Sequence, residues 1–373
     1  MISDLPADLL EEILYRVPAT SHKQLRSTCK LWNVLIKKNR RFTEKHFHEA
    51  SKQSAVLMLD DRKVRSMNVN LNVSAPSIEF KSALSLKDSH SNLEQVNIAR
   101  VFHCDGLLLC TTKEDRLVVW NPYFGVTRWI QLKSDYKSDF TYALGYVDNK
   151  SCRTYKILRP WEIPSIEGLG LEIYEFSSNS WRVPLSNVAL LYTYFDSDTG
   201  VSLKGNTYWL NYNSEDFLFP FDFKTERFKC LPPPTWIDGT VVLSVVREEQ
   251  LSLLYENNRT SKMEIWITTN IDTEAEVLWS KSFIVDSEIQ DPYTYHICSS
   301  SLIDEEKKVV VCCIVSSDHY NRINRMYTVN IIGEDDEYYT EIPNDESLSA
   351  EDDKYLSRRW PIIFNYVPSL VQI

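Results

Sequence analysis

Three residue types that could do nucleophilic chemistry stand in a row at His103-Cys104-Asp105: a thiol, a base to take its proton, and a carboxylate to orient the base. Their spacing argues against that use. The surrounding residues read as strand, and neighbours in a strand point to opposite faces, so His103 and Cys104 cannot form a nucleophile and base pair. Other chemical signatures fail on counting. The eight cysteines, at 29, 104, 110, 152, 230, 298, 312 and 313, contain no C-x-x-C pair. His46-Phe-His48 supplies too few ligands for zinc, and no H-x-x-x-H occurs among the seven histidines. Gly168-Leu-Gly170 lacks the third glycine and the following helix of a dinucleotide loop, and there is no G-x-S-x-G and no Walker A. No catalytic residue, metal or cofactor is expected, and the cysteines read as reduced and structural.

With 43% hydrophobic and 25% charged residues, the 373-residue chain has the composition of a soluble globular protein. Its longest apolar run, Val309 to Val315, cannot span a bilayer, and the N-terminus has neither a basic region nor a long apolar one. Cytoplasm or nucleus is the expected location, with no membrane partner. Residues 1–48 hold nine Lys and Arg against five Asp and Glu, +4, which leaves −15 on the remainder out of a net −11. A body of that sign disfavours phosphate backbones, so no nucleic-acid partner is expected. The ten acids between Glu334 and Asp353 read as a solvated loop.

The N-terminal stretch has a different need. Pro6 suits a first helical position, and Leu9, Leu10, Ile13, Leu14 and Val17 then form an apolar arc wider than one neighbouring helix can cover. Pro18 ends that helix. Ser21 and Gln24 have the capping-box pattern that starts another, along which Leu25, Cys29, Trp32, Leu35 and Ile36 recur at helical spacing. Two or three short helices in about forty residues rarely fold without disulfide, metal or partner, and a lone Cys29 leaves the partner.

Leu5-Pro6, Asp8-Leu9-Leu10, Glu12-Ile13-Leu14, Arg16-Val17-Pro18, Thr28-Cys29-Lys30, Trp32-Asn33 and Phe42 together resemble the F-box of plant F-box proteins. The resemblance implies docking on the Skp-type adaptor of an SCF ubiquitin ligase, and through it on a cullin-RING ligase. It places Leu5, Pro6, Leu9, Ile13, Leu14, Val17 and Trp32 in that interface or in support of it.

From residue 55 the texture changes to short runs rich in Val, Ile, Tyr, Phe and Trp, broken by Asn, Asp, Ser and Gly, which are strand and turn signals. Aromatic or apolar anchors recur at Trp120, Tyr174, Phe221, Trp266 and Val329, with steps of 54, 47, 45 and 63 residues. All but the last step, which contains an insertion, match the period of propeller blades. The expected architecture is mainly β with a small N-terminal α module: a helical segment over 1–48, then a β-propeller-like body of about six blades over 55–373. Glycine is scarce, nine in the chain, and the Gly-Gly doublet of kelch blades is absent, so the anchors alone carry the count. The apolar stretch from Pro361 to Ile373 is expected to be a strand that closes the ring by pairing with an early blade.

The body also resembles the F-box-associated, kelch-like domain of plant F-box proteins. Val101-Phe-His-Cys-Asp-Gly-Leu-Leu-Leu-Cys110, Trp120-Asn-Pro122, Tyr174-Glu-Phe176, Gly205-Asn-Thr-Tyr-Trp209 and Met263-Glu-Ile-Trp266 carry that likeness. It implies a non-catalytic substrate receptor that captures a target protein. Trp161, Trp236, Tyr293 and Tyr295, beside prolines in what read as connections, are the candidate target anchors, with buried turn plugs as the plainer reading. The alternatives are a propeller binding module without a ligase role, or a small-molecule-binding or enzymatic propeller.

Overall fold

In the computed structural model the described residues are 7–15, 17, 25, 30, 32, 55–71, 76–88, 95–132, 142–149, 153–163, 168–184, 190–191, 200–211, 218–234, 239–257, 260, 262–271, 277–286, 294–318, 325–334, 340–343, 360–371 and 373. The helix α1 (Ala7–Tyr15) precedes the strands, and Leu25, Lys30 and Trp32 are helical as well. Blade one takes β1 (Ala55–Asp60), β2 (Lys63–Asn70) and β3 (Ser77–Ala83). Blade two is β4 (Ile98–Cys104), β5 (Leu107–Thr112), β6 (Leu117–Asn121) and β7 (Val126–Ile130). Blade three is β8 (Ala143–Asp148), β9 (Arg153–Ile163), β10 (Gly168–Glu175) and β11 (Ser180–Arg182), with the short β12 (Leu190–Leu191) also against β10. Blade four is β13 (Val201–Leu203), β14 (Asn206–Leu210), β15 (Leu218–Asp222) and β16 (Arg227–Phe228). Blade five is β17 (Gly239–Val246), β18 (Gln250–Asn257), β19 (Lys262–Asn270) and β20 (Leu278–Asp286). Blade six is β21 (Thr294–Asp304), β22 (Val309–Asp318), β23 (Arg325–Gly333) and β24 (Thr340–Pro343). The last strand, β25 (Ile362–Tyr366), returns to blade one as its innermost strand.

This is a six-bladed propeller, as the anchor spacing predicts. Trp120, Tyr174, Phe221, Trp266 and Val329 each lie on the third strand of their blade. The second strand of blade two, β5, is buried along its whole length, because neighbouring blades cover both its faces. Trp120, Trp209, Tyr174 and Phe221 fill the spaces between blades. The turns manage with little glycine. Asp61, Arg62, Asp105, Asp115, Asn179, Lys204, Glu226, Arg247, Glu248 and Lys308 all take positive φ, the left-handed conformation that glycine would otherwise supply.

Closure follows from the C-terminus. β25 pairs antiparallel with β1, from Ala55 opposite Tyr366 to Leu59 opposite Ile362. On its other side β21 reaches it through side chains: Ser299 Oγ donates to the Pro361 carbonyl at 2.7 Å, and the Ile363 N–H donates to Ser300 Oγ at 2.9 Å. A register shift between Cys298 and Ser300 puts Ser299 and Ser300 both within reach of β25 and its lead-in, which a regular strand would not do.

Beyond β25 the chain crosses Gly106, at the turn between β4 and β5. Tyr366 donates its hydroxyl to the Gly106 carbonyl at 3.2 Å. Gly106 has φ +71°, and a Cβ there would stand 2.3 Å from Ser369 Cβ and 2.5 Å from the Val367 carbonyl oxygen. Gly106→Ala is therefore expected to cost roughly 2–4 kcal/mol, about 1–2 from the left-handed backbone and the rest from overpacking, read as a lower urea midpoint with unchanged slope.

Candidate functional site: the helix platform and the two faces of the ring

The first residues after β6 and the last residues of the chain meet in one structure. Asn121, fully buried, donates from Nδ2 to the carbonyls of Ser369 at 3.0 Å and Val371 at 2.9 Å. Its Oδ1 accepts the N–H groups of Tyr123 and Phe124, which shapes the turn into β7. One amide thus holds Phe124 and Leu370 beside each other. On that platform α1 lays Leu10 and Leu14, with Leu25, Trp32, Tyr123 and Val126 packed around them.

Residues four apart lie along one row of a helix, so Leu10 and Leu14 form one row and Leu9 and Ile13 the next. The first row is 1% and 2% exposed, the second 52% and 48%. The wide apolar arc predicted from the sequence is thus split between the chain itself and solvent. Leu14, expected in or behind the adaptor interface, has its side chain against the body and can act there only as support. Val17 is half-buried after the helix end, where its N–H donates to the Leu14 carbonyl at 3.2 Å. Trp32 is half-buried against the platform. Leu5 and Pro6 lie outside the described residues.

The candidate target anchors fall differently. Trp161 and Tyr295 are in strands, not in connections: Trp161 on β9 opposite Gly170, Tyr295 on β21 opposite Ser317. Pro160 misled the reading. It lies past Leu158, the last β9 residue paired to β8 among the described residues, where no ladder N–H is needed and proline is tolerated. The strand directions place Trp161 and Tyr295 at the end of the ring opposite α1. Trp236 and Tyr293 lie outside the described residues.

His103 and Cys104 separate as strand geometry requires. His103 lines the ring axis, its ring 5.7 Å from that of Phe364, while Cys104 packs into the core shared with blade three. Burial lowers the His103 pKa to about 4 and raises that of the Cys104 thiol, so both are held neutral. The Gly106 N–H donates to His103 Nε2 at 3.2 Å. Asp105 receives Arg153 at 2.8 Å and the Tyr155 hydroxyl, which ties blade two to blade three. The row that invited a catalytic reading builds the platform turn instead.

The innermost strands of five blades, β4, β13, β17, β21 and β25, surround an axial cavity of about 90 Å³. Glu248 lines it from the turn between β17 and β18. Burial first, and the nearby Asp105 charge second, raise its pKa to about 7. The unfolded chain ionises this group from the ordinary carboxylate range upward while the folded chain keeps its proton, so stability falls as pH rises through that window. Glu248→Gln is expected to melt a few degrees above wild type at pH 8, with the gap closing below pH 5, in paired thermal melts.

Comparison with known proteins agrees with this geometry. The chain matches the F-box domain over residues 2–44 and the F-box associated beta propeller domain over residues 55–373. The chain belongs to the F-box protein family. An F-box only protein of Arabidopsis thaliana is 53% identical over 382 residues, covering 100% of this chain and 96% of its own length. F-box protein At3g22700 of the same plant is 57% identical over 293 residues, 75% of this chain and 84% of its own. At 46% identity, F-box/kelch-repeat protein At3g44120 of Arabidopsis thaliana aligns over 75% of this chain and 76% of its own. As an F-box protein with an F-box-associated propeller, the chain has the parts of a substrate adaptor, and its F-box implies a Skp-type partner. Sequence reasoning missed how this F-box protein braces its helix. The Trp120-Asn121-Pro122 motif was visible, but that Asn121 clamps residues 250 positions away was not.

Proposed function

We propose that this F-box protein is the non-catalytic substrate-receptor subunit of an SCF-type ubiquitin ligase, working in the cytoplasm or nucleus. Its N-terminal helix docks through Leu9 and Ile13 on a Skp-type adaptor, the adaptor joins it to a cullin-RING ligase, and the propeller holds a target protein. The observation that carries this reading is the outward row of α1: two large apolar side chains half in water on a helix whose other row is already anchored. Apolar pairs held out on a braced helix are what a helix-in-groove partner needs.

The mechanism is proximity. A target lysine kept beside a charged conjugating enzyme reacts at high effective concentration, and the receptor contributes position and no chemistry. The closed, braced propeller suits that role, because a receptor that flexed at its helix would dilute the target it carries. Co-expression of the full chain with a plant Skp-type adaptor, cullin and RING subunit tests it. All four should co-elute in gel filtration, and elution of the receptor free of the other three would overturn the proposal.

A further inference from the structure

The face of the ring that carries α1 holds a second feature. Blades five, six and one border a cleft of about 670 Å³, with Val56, Leu71, Leu302 and Val311 among its apolar lining. The turns after β17 and β21 line it with Glu248, Glu249, Asp304, Glu305 and Glu306, against Arg247 as the one base among the described residues of the lining. Three of the acids are engaged. Arg247 holds Glu306 at 2.6 Å, Ser282 donates to Glu305 at 3.2 Å, and the Lys307 N–H donates to Asp304 at 3.1 Å. The Glu248 and Glu249 carboxylates form no hydrogen bond or ion pair among the described residues.

Acidic residues on turns are ordinary, and alone they would mean only a solvated rim. The axial cavity supplies the independent observation. Ser301, 2% exposed, lines that cavity, and its hydroxyl has no hydrogen-bond partner among the described residues. A buried hydroxyl left unpaired is destabilising, and a ligand that paired with it would relieve that. Glu248, Leu302 and Asn365 line both spaces, so the cleft leads into the cavity past the unpaired carboxyl. Phe102 and Phe364 stand in the cavity wall, where they can pack the aliphatic stem of a long side chain whose charged end reaches Glu248.

We propose that this cleft binds a basic peptide of a partner protein, with one lysine or arginine side chain entering the axial cavity toward Glu248 and Ser301. Charge complementarity selects that partner. Residues 49–373 carry −15, which draws cationic segments toward the ring, and the two unpaired carboxylates give them a defined end point. The site belongs to the propeller and works whether or not the helix holds an adaptor, so it stands independently of the ligase reading. It also differs from the aromatic candidates Trp161 and Tyr295, which lie at the opposite end of the ring.

The test uses the full chain, a fluorescein-labelled Gly-Lys-Gly-Lys-Gly peptide and its norleucine counterpart, read by fluorescence anisotropy. Wild type should bind the lysine peptide at least tenfold more tightly than the norleucine peptide. Glu248→Gln, which keeps size and should melt no lower than wild type, is expected to remove that preference. Ser301→Ala should weaken lysine-peptide binding about threefold or more, and serves as the second reading of the same cavity. Glu114→Gln, on the exposed turn between β5 and β6 at the other end of the ring, should change nothing. Equal binding of the two peptides by wild type would overturn the proposal, as would a preference that survives Glu248→Gln, or an equal loss in Glu114→Gln.

Discussion

Deletion of residues 362–373 is expected to leave the propeller insoluble, or to lower its melting temperature so far that no cooperative transition survives at 37 °C. The segment supplies the innermost strand of blade one, and without it β1 presents an unpaired edge to the axis. Ile363, Tyr366, Val367 and Leu370 are all at most 5% exposed. Each such side chain contributes roughly 1.5–3 kcal/mol when buried, so the four together match the whole stability of an ordinary domain, about 5–15 kcal/mol. The Asn121 Nδ2 group and the Ser300 hydroxyl would lose their partners as well. Deletion of residues 344–353, outside the described residues, is expected to shift the melt by less than about 2 °C, since the stretch is acidic and holds a single large apolar side chain, Leu348. Solubility and differential scanning fluorimetry of the two truncations decide it, and equal melts would refute the clasp.

The second large effect concerns α1. Leu9→Ala with Ile13→Ala should weaken binding of a Skp-type adaptor by roughly 30- to 150-fold. Both side chains are already half-covered, so a partner gains about 2–3 kcal/mol by covering the rest. The propeller melt should not move, because neither residue belongs to the core. The contrasting pair is Leu10→Ala with Leu14→Ala. These two fill the platform on Phe124 and Leu370, where each core Leu→Ala substitution costs about 2–5 kcal/mol. That pair should release the helix, seen as faster amide exchange over residues 7–15, and should weaken adaptor binding only through the lost bracing.

Which of these features the sequence disclosed depends on how local their cause is. The blade period was legible because each third strand must place a large side chain between blades, so Trp120, Tyr174, Phe221 and Trp266 repeat at nearly constant spacing. Blade one gave no such hairpin pattern, because its innermost strand comes from residues 362–366. The closing strand was still legible, since Ile362, Ile363, Phe364 and Tyr366 are too apolar for a free end. Scarce glycine gave no count of the turns because Asp, Asn, Lys, Glu and Arg occupy the left-handed positions.

The functional surfaces were harder to read. Periodicity showed that α1 had more apolar surface than one neighbour could cover, but could not assign Leu14 to the body and Leu9 to solvent. That division depends on Leu370, which the Asn121 clamp on Ser369 and Val371 helps hold beneath the helix. The axial cavity left a single faint trace, the run Ser299-Ser300-Ser301 inside an apolar strand. Its meaning appears only when five blades bring their first strands around one axis.

Isothermal titration of a purified Skp-type adaptor into the full chain tests most directly whether the outward row of α1 is an adaptor site. Wild type should give saturable one-to-one binding, weakened at least 30-fold by Leu9→Ala with Ile13→Ala while the propeller melt stays unchanged. No heat of binding from a folded wild-type chain, or equal affinity in the double variant, would contradict it.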